Sequence, residues 1–345
     1  MARVTTTPED LPEQTGESEV LAAAAEVVDD VAERELQPQD VAAMDHLDSP
    51  RRLLLVHAHP DDEAIVTGAT MAHYAATGAL VTLVTCTRGE RGEVIPAELA
   101  HLEGDGAALA ERRTAELAAA AEALGVADHR FLGADAGVVF TDSGMAWGEH
   151  GRAVPAPDTG PEAFSRTDVD EAAGHLVRVL REVRPQVLVT YDPSGGYGHP
   201  DHVHTHRVAL RAVELAAAGG GEAEPWQVAK VYEVVLPEGL TRRLLAESRD
   251  ANPFEAVDAD GVLPPMVVPD EEVTTVVEAG DRLEAKAAAL RAHATQVEVR
   301  DGFLAMSHGV GQPLVGTEYF RLVRGVAVPD PDRGDGLESD LFAGA

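Results

Sequence analysis

The chain of 345 residues has one cysteine, few aromatics, few basic residues and no long apolar run. The single Cys86 rules out an intrachain disulfide and leaves the redox compartment open. It follows the apolar run Leu80–Thr85, which reads as a buried small hydrophobe rather than a nucleophile. With aromatics at 4%, a core must be built mostly from Ala, Val and Leu. Lys and Arg number 27 against 60 Asp and Glu, a formal net charge of −33. That balance excludes the Lys/Arg patches that nucleic acid requires and disfavours an anionic membrane surface. It is the mark of a solvated acidic surface and leaves a neutral small substrate open. No stretch approaches the roughly 18 uninterrupted apolar residues of a membrane span. The first residues show neither a basic n-region nor an apolar h-region, so the expected location is the cytoplasm. Oligomeric state is left open.

Composition divides the chain. Residues 1–49 hold 13 acidic residues against two arginines and little core material, and read as a flexible extension in which Leu21–Leu36 is a candidate helix. From Arg51 the pattern is that of a single domain over 50–330, with 331–345 as an acidic C-terminal tail. RLLLVHA is a continuous apolar run of the kind buried on both faces of a parallel sheet. Glu63–Thr77 is a helix closed by Gly78, and Leu80–Thr87 the next strand, which makes a right-handed βαβ unit. Helices follow at 107–124 (ended by Gly125), Asp168–Val183, Val203–Ala218 and Arg282–Thr295. Strands are expected at His129–Leu132, Gln186–Tyr191, Lys230–Leu236, Glu272–Glu278 and Tyr319–Val323. The stretches 134–165 and 217–226 read as loops or insertions. The fold class is α/β: a Rossmann-like, doubly wound, mostly parallel sheet with helices on both faces.

Two segments carry the chemistry. HAHPDDE at 57–63 and GYGHPDHVHTH at 196–206 hold 6 of the 14 histidines: His57, His59, His199, His202, His204 and His206. Each lies where a strand should end, the position at which this plan binds ligands. Imidazole and carboxylate together suit Zn²⁺ and its first-row neighbours. His57 and His59 face the same way, but only His59 clears the sheet edge, so His57 reads as packed. Asp61 and Asp62 are adjacent and point differently, so one carboxylate ligates while the other works on water. His202 and His206 stand at i, i+4 and share a helix face, which leaves His206 a competing ligand. His204 and His206 otherwise read as solvated or supporting positions, and Glu63 as a helix-dipole partner or a support for the site.

HAHPDDE followed by HPDH resembles the LmbE-like, PIG-L-type zinc de-N-acetylases. Within that family TCTRGERGEVI (85–95), DSGM (142–145), TYDPSGGYGHPDHVHTH (190–206) and AHATQV (292–297) resemble the branch acting on N-acetylglucosaminyl-inositol in mycothiol biosynthesis. The resemblance runs from residue 51 to about 325. It implies one divalent metal per chain, zinc or Fe²⁺, held by His59, Asp62 and His202 at the strand carboxyl ends. It implies Asp61 as general base, His199 as electrophile or acid, Tyr197 as oxyanion partner, and Asp201 tuning a histidine, His199 foremost. Arg113, Glu93, Asp142 and Met145 fall at substrate-contacting positions, the substrate being a small amino sugar. His293, within AHATQV, reads as structural. The alternatives are the mycothiol S-conjugate amidase branch, a non-haem Fe(II) oxygenase built on a 2-His-1-carboxylate triad, and a metal-binding module without catalysis.

Overall fold

Strand β1 (Arg52–His57) shows why its sequence is apolar without alternation. Leu53 and Leu55 face one core and Leu54 and Val56 the other, all four fully buried. A computed structural model of the chain describes residues 50–148, 152–218 and 224–345. The extension with its candidate helix Leu21–Leu36 lies outside the described residues.

The strands that follow are β2 (Leu80–Thr85), β3 (Asp128–Phe131), β4 (Met145–Trp147), β5 (Ala153–Pro155), β6 (Val187–Tyr191), β7 (Lys230–Pro237) and β8 (Glu255–Ala256). Then come β9 (Val267–Val268), β10 (Thr275–Glu278), β11 (Glu298–Arg300), β12 (Phe303–Ala305), β13 (Val310–Pro313) and β14 (Thr317–Arg324). The main sheet runs β10-β14-β7-β6-β1-β2-β3. From β7 to β3 all neighbours are parallel, while β14 and β10 close the edge antiparallel. Chain order reverses between β1 and β6, which register Leu55 against Val189. That pair is the topological switch point, where a crevice opens beyond the strand ends.

Helices α1 (Asp62–Ala76), α2 (Gly106–Leu124) and α6 (Leu283–Ala292) cover one face, burying Met71, Leu117 and Leu290 with Leu53 and Leu55. Helices α3 (Val169–Val183) and α4 (Pro200–Ala217) cover the other, burying Leu176, Leu180 and Val208 with Leu54 and Val56. Helix α5 (Glu238–Ser248) follows β7. The Asp168 carboxylate caps α3, accepting from the N–H groups of Asp170 (2.9 Å) and Glu171 (3.1 Å). Gly125 ends α2 at φ 75°, a left-handed cap that only glycine adopts freely.

Three expectations change. Helix α4 begins at Pro200, not Val203, because proline suits the first helical turn and the His199 ring caps it. Of the HPDH segment, Pro200, Asp201 and His202 are therefore helical, with His199 as the cap. The stretch 134–165 contains the hairpin β4–β5, and a separate sheet β11-β12-β13-β8 was not foreseen. The segment 331–345 is not an acidic tail: the compact unit runs from Pro50 to Ala345. Leu341 and Phe342 enter the core beside Tyr74, and fully buried Glu338 pairs with Lys230 of β7. Its acidic groups find tertiary partners that composition does not reveal.

Candidate metal centre and active site

The loops after β1 and β6 bring the two histidine segments together at the switch point. His59 Nδ1 lies 3.3 Å from Asp62 Oδ2 and 3.3 Å from His202 Nε2, and His202 Nε2 lies 3.3 Å from Asp62 Oδ1. Tetrahedral donors around an ion at about 2.0–2.1 Å stand about 3.3–3.4 Å apart, so the spacing of each pair suits one small divalent cation, with Asp62 turning a different oxygen to each histidine. Looser groupings surround it. Donor atoms of His59, His199 and His202 lie within 4.8 Å of one another, as do those of His59, Asp142 and Asp201. The Nδ1 of His199 accepts the N–H of Asp201 at 3.1 Å, which leaves its Nε2 to face the centre.

Charge gives the same answer. Asp61, Asp62, Asp142 and Asp201 are all buried around His59. Burial alone would lower the His59 pKa, yet Asp142, with hydrogen bonds to Asp201 and Asp62, drives it well above the usual value. Asp62, which burial would raise, is held well below the carboxylate range by His202 and His59. A cluster so rich in carboxylate calls for added positive charge.

The outer atoms of each donor are fixed. His59 Nε2 meets Asp201 Oδ2 at 3.2 Å, and Asp142 Oδ1 lies 3.6 Å away. Asp201 also accepts from the Ser143 N–H at 2.9 Å and from the Ser143 hydroxyl. Asp201 thus orients His59, not His199 as expected from the sequence. His202 stacks on Tyr191, ring centroids 4.3 Å apart, and the Tyr191 hydroxyl accepts the Ala58 N–H at 2.8 Å. Carboxylates behind metal-type histidines set tautomer and ring orientation.

Asp61 stands beside the triangle, at the N-cap of α1. Its carboxyl is buried and accepts from Arg113 Nη2 at 3.0 Å. Burial pushes its pKa up to about 6, against the pull of Arg113 and with a further push from Asp62. His199 is driven well below the ordinary histidine value by burial and by His59 and His202. Neutral, with Nδ1 accepting from backbone, it carries its proton on Nε2. The Tyr197 ring stands 5.3 Å from that of His202 and 6.2 Å from that of His199.

Residues 54–213 match the family described as PIG-L: GlcNAc-PI de-N-acetylase. A relative from Kineococcus radiotolerans, named 1D-myo-inositol 2-acetamido-2-deoxy-alpha-D-glucopyranoside deacetylase, is 53% identical over 350 residues, covering 98% of this chain and 96% of that protein. The chain belongs to the PIG-L family. A relative of the same name from Nocardioides sp. is 52% identical over 305 residues, 85% of this chain and 98% of its own length. Among solved structures, N,N'-diacetylchitobiose deacetylase from Pyrococcus horikoshii, complexed with its inhibitor MPG, aligns at TM-score 0.47 and 20% identity over 83% of this chain and 81% of that one. The match to the Kineococcus protein, over 98% of the chain, takes in most of residues 1–49, whereas the family match begins at residue 54.

Other candidates of this PIG-L chain fall in different places. Arg113, expected at the substrate, is buried and committed to protein: Nη1 donates to Gly89 O at 2.6 Å, and Nη2 to Pro60 O and Asp61. Gly89, at φ 64°, makes room for it, since a Cβ there would lie 2.0 Å from Nη1. Glu93 is exposed and lines a cleft of about 530 Å³ with Gly92, Val94, Ile95, Glu103 and Ser307. Asp142, expected at substrate, sits against His59 and accepts the Gly144 N–H at 2.8 Å. Met145 opens β4, half-buried. His57 is packed, its Nε2 2.9 Å from the Thr67 hydroxyl. His204 and His206 are buried, not solvated: His204 meets Thr167 at 3.0 Å and His206 Nδ1 meets Tyr191 O at 2.9 Å. Sequence reasoning missed Tyr191 and Ser143. Tyr191 had one signal, an aromatic ending the strand at the switch point.

Proposed function

We propose that this chain hydrolyses the N-acetyl group of 1D-myo-inositol 2-acetamido-2-deoxy-α-D-glucopyranoside, releasing acetate and the free amine for mycothiol biosynthesis in the cytoplasm. The observation that carries the reading is the 3.3 Å triangle of His59, Asp62 and His202, with Asp61 beside it, in a chain 53% identical to a deacetylase so named. The three residues would hold one divalent ion, zinc or Fe²⁺, both of which accept two imidazoles and a carboxylate. Bound there, the ion supplies Lewis-acid polarisation of the amide carbonyl and a water acidified toward pH 7.

The chain's own residues do the rest. Asp61, buried and raised to about 6, takes a proton as water attacks the carbonyl carbon and returns it to the departing nitrogen as the C–N bond breaks. Arg113 holds that carboxylate at 3.0 Å. His199, neutral with its proton on Nε2, donates to the carbonyl oxygen as charge develops there. Tyr197 stands across the His199 and His202 rings, where its hydroxyl serves the same oxygen. Asp201 and Asp142 keep His59 aligned. Among the described residues no helix is long and apolar enough to cross a membrane.

The test is amine release from the glucosaminyl-inositol substrate by purified protein, before and after chelation and with zinc or Fe²⁺ restored. A mycothiol S-conjugate run in parallel separates deacetylase from amidase. Turnover insensitive to chelation, or preference for the conjugate, refutes the reading.

A further inference from the structure

Asp61 occupies a backbone conformation that a side chain other than glycine's rarely adopts, φ 130° and ψ −35°. The peptide plane that sets this φ joins Pro60 to Asp61. Both of its polar atoms are taken by buried charged side chains. The Asp61 N–H donates to Glu63 Oε2 at 2.9 Å, and Pro60 O accepts from Arg113 Nη2. The same Nη2 lies 3.0 Å from Asp61 Oδ2, so one guanidinium holds the plane and the carboxylate together.

Glu63 is itself fixed. Its Oε1 meets His293 Nε2 at 2.6 Å, and both residues are 0% exposed. His293 is the C-cap of α6 and comes from the AHATQV segment, 230 residues further along the chain. Neither Glu63 nor His293 belongs to the donor triangle. Among the described residues, their side chains hydrogen-bond only to each other and to the Asp61 N–H.

We propose that Glu63 and His293 are positioning residues: together with Arg113 they clamp the Pro60–Asp61 peptide plane and so aim the Asp61 carboxylate. A strained backbone persists only where its surroundings over-determine it, and strain of this kind gathers at functional positions. Released from Glu63, the plane relaxes toward negative φ and swings the Cα–Cβ bond of Asp61 away from its present direction. The inference rests on the reading of Asp61 as general base.

The test is a double-mutant cycle on the zinc-loaded enzyme, with metal content and kcat/KM read on every variant. Glu63→Ala should keep about one metal per chain and leave KM within about threefold, while kcat falls about 10²-fold, the order expected when a catalytic group is misplaced by about an ångström. In an Asp61→Asn background the same change should cost less than about threefold, because nothing remains to aim. His293→Ala should mimic Glu63→Ala, and His293→Gln, whose amide can still donate to Glu63, should restore most of kcat. Faster amide hydrogen exchange at Asp61 in Glu63→Ala gives a readout independent of turnover. If Glu63→Ala is insoluble, the His293→Ala and His293→Gln pair carries the cycle.

Equal losses with and without Asp61 overturn the clamp in favour of a bulk structural role. So does loss of metal in Glu63→Ala or His293→Ala. An Asp61→Asn enzyme with near-normal kcat overturns the base itself, and the clamp with it. An inactive Asp61→Asn beside a fully active Glu63→Ala overturns the clamp alone.

Discussion

Glu338→Ala is the sharpest test of how the last residues are held. The Glu338 carboxylate is fully buried and takes four donors: Lys230 Nζ, the Tyr232 hydroxyl at 3.0 Å, the Thr275 hydroxyl at 2.7 Å and the Val328 N–H at 2.7 Å. Lys230 is 1% exposed, and it also donates to Ala343 O at 2.7 Å. Truncating the carboxylate leaves an ammonium without its counter-charge in the interior, a change that costs about 3–5 kcal/mol. A unit of roughly 300 residues has an unfolding entropy near 0.6 kcal/mol/K, so Tm should fall by about 5–8 °C. The assay is calorimetric unfolding of the metal-loaded protein at fixed protein and zinc concentration. A paired replacement, Lys230→Met with Glu338→Leu, removes both charges and should return only part of the lost Tm, because the Tyr232 and Thr275 hydroxyls and the Val328 N–H still lose their acceptor. A drop below about 2 °C for Glu338→Ala would refute the reasoning, and would mean that the segment carrying it is not docked in solution.

His59→Ala, Asp62→Ala and His202→Ala should each lose bound metal by elemental analysis, whereas His206→Ala should retain it, because His206 Nδ1 is occupied by Tyr191 O at 2.9 Å. Metal retained in the His202 variant, or lost in the His206 variant, would move the site. Burial pushes the Cys86 thiol up to about 12, so deprotonation sets in only near that pH and at pH 8 about one thiol in 10⁴ is thiolate. Labelling by a disulfide reagent at pH 8 should therefore be about 10³-fold slower in the folded than in the unfolded protein; rapid labelling of the native enzyme would contradict this. Removing residues 1–49 should leave kcat/KM within about threefold, since the Nocardioides relative matches over 98% of its own length while covering 85% of this chain. A folded truncated enzyme that had lost most of its kcat/KM would show that the extension takes part in turnover.

The strands at the switch point were legible because burial on both faces writes an unbroken apolar run: LLLV in β1 and VLV in β6 stand out against the acidic background. Helix ends were legible where a residue's own backbone preference decides, as at Asp168 and Gly125. The start of α4 was misread because glycines 195, 196 and 198 suggested a loop, whereas Pro200 at the first helical position resumes the helix immediately. The two histidine segments were visible by spacing, yet which carboxylate backs which imidazole was not. Asp201 meets His59 across 142 residues, a contact set by how β1 and β6 sit side by side. Arg113 was placed at substrate by its motif, but the cleft between Gly89 and Pro60 draws its guanidinium inward. The C-terminal segment looked like a tail because composition counts Asp and Glu without asking whether a lysine waits in β7.

The switch point also explains the charge states the site requires. Helices α1 and α4 both begin at it, so their positive dipole ends face the crevice. That field favours carboxylates in the first turns, where Asp62 and Asp201 stand, and disfavours an imidazolium at the cap, where His199 stands. The His199 pKa is depressed, which keeps its ring neutral, and Asp62 stays ionised, as a carboxylate that meets a cation must. Asp61 is the exception: one residue earlier, buried and crowded by Asp62, it is raised to about 6. Adjacent aspartates on one turn are thereby pushed in opposite directions, Asp62 toward the ionised form and Asp61 toward the protonated one. A shift of the helix start by one residue would exchange their environments, so the strained φ at Asp61, where α1 begins, also sets which aspartate is raised and which is held ionised.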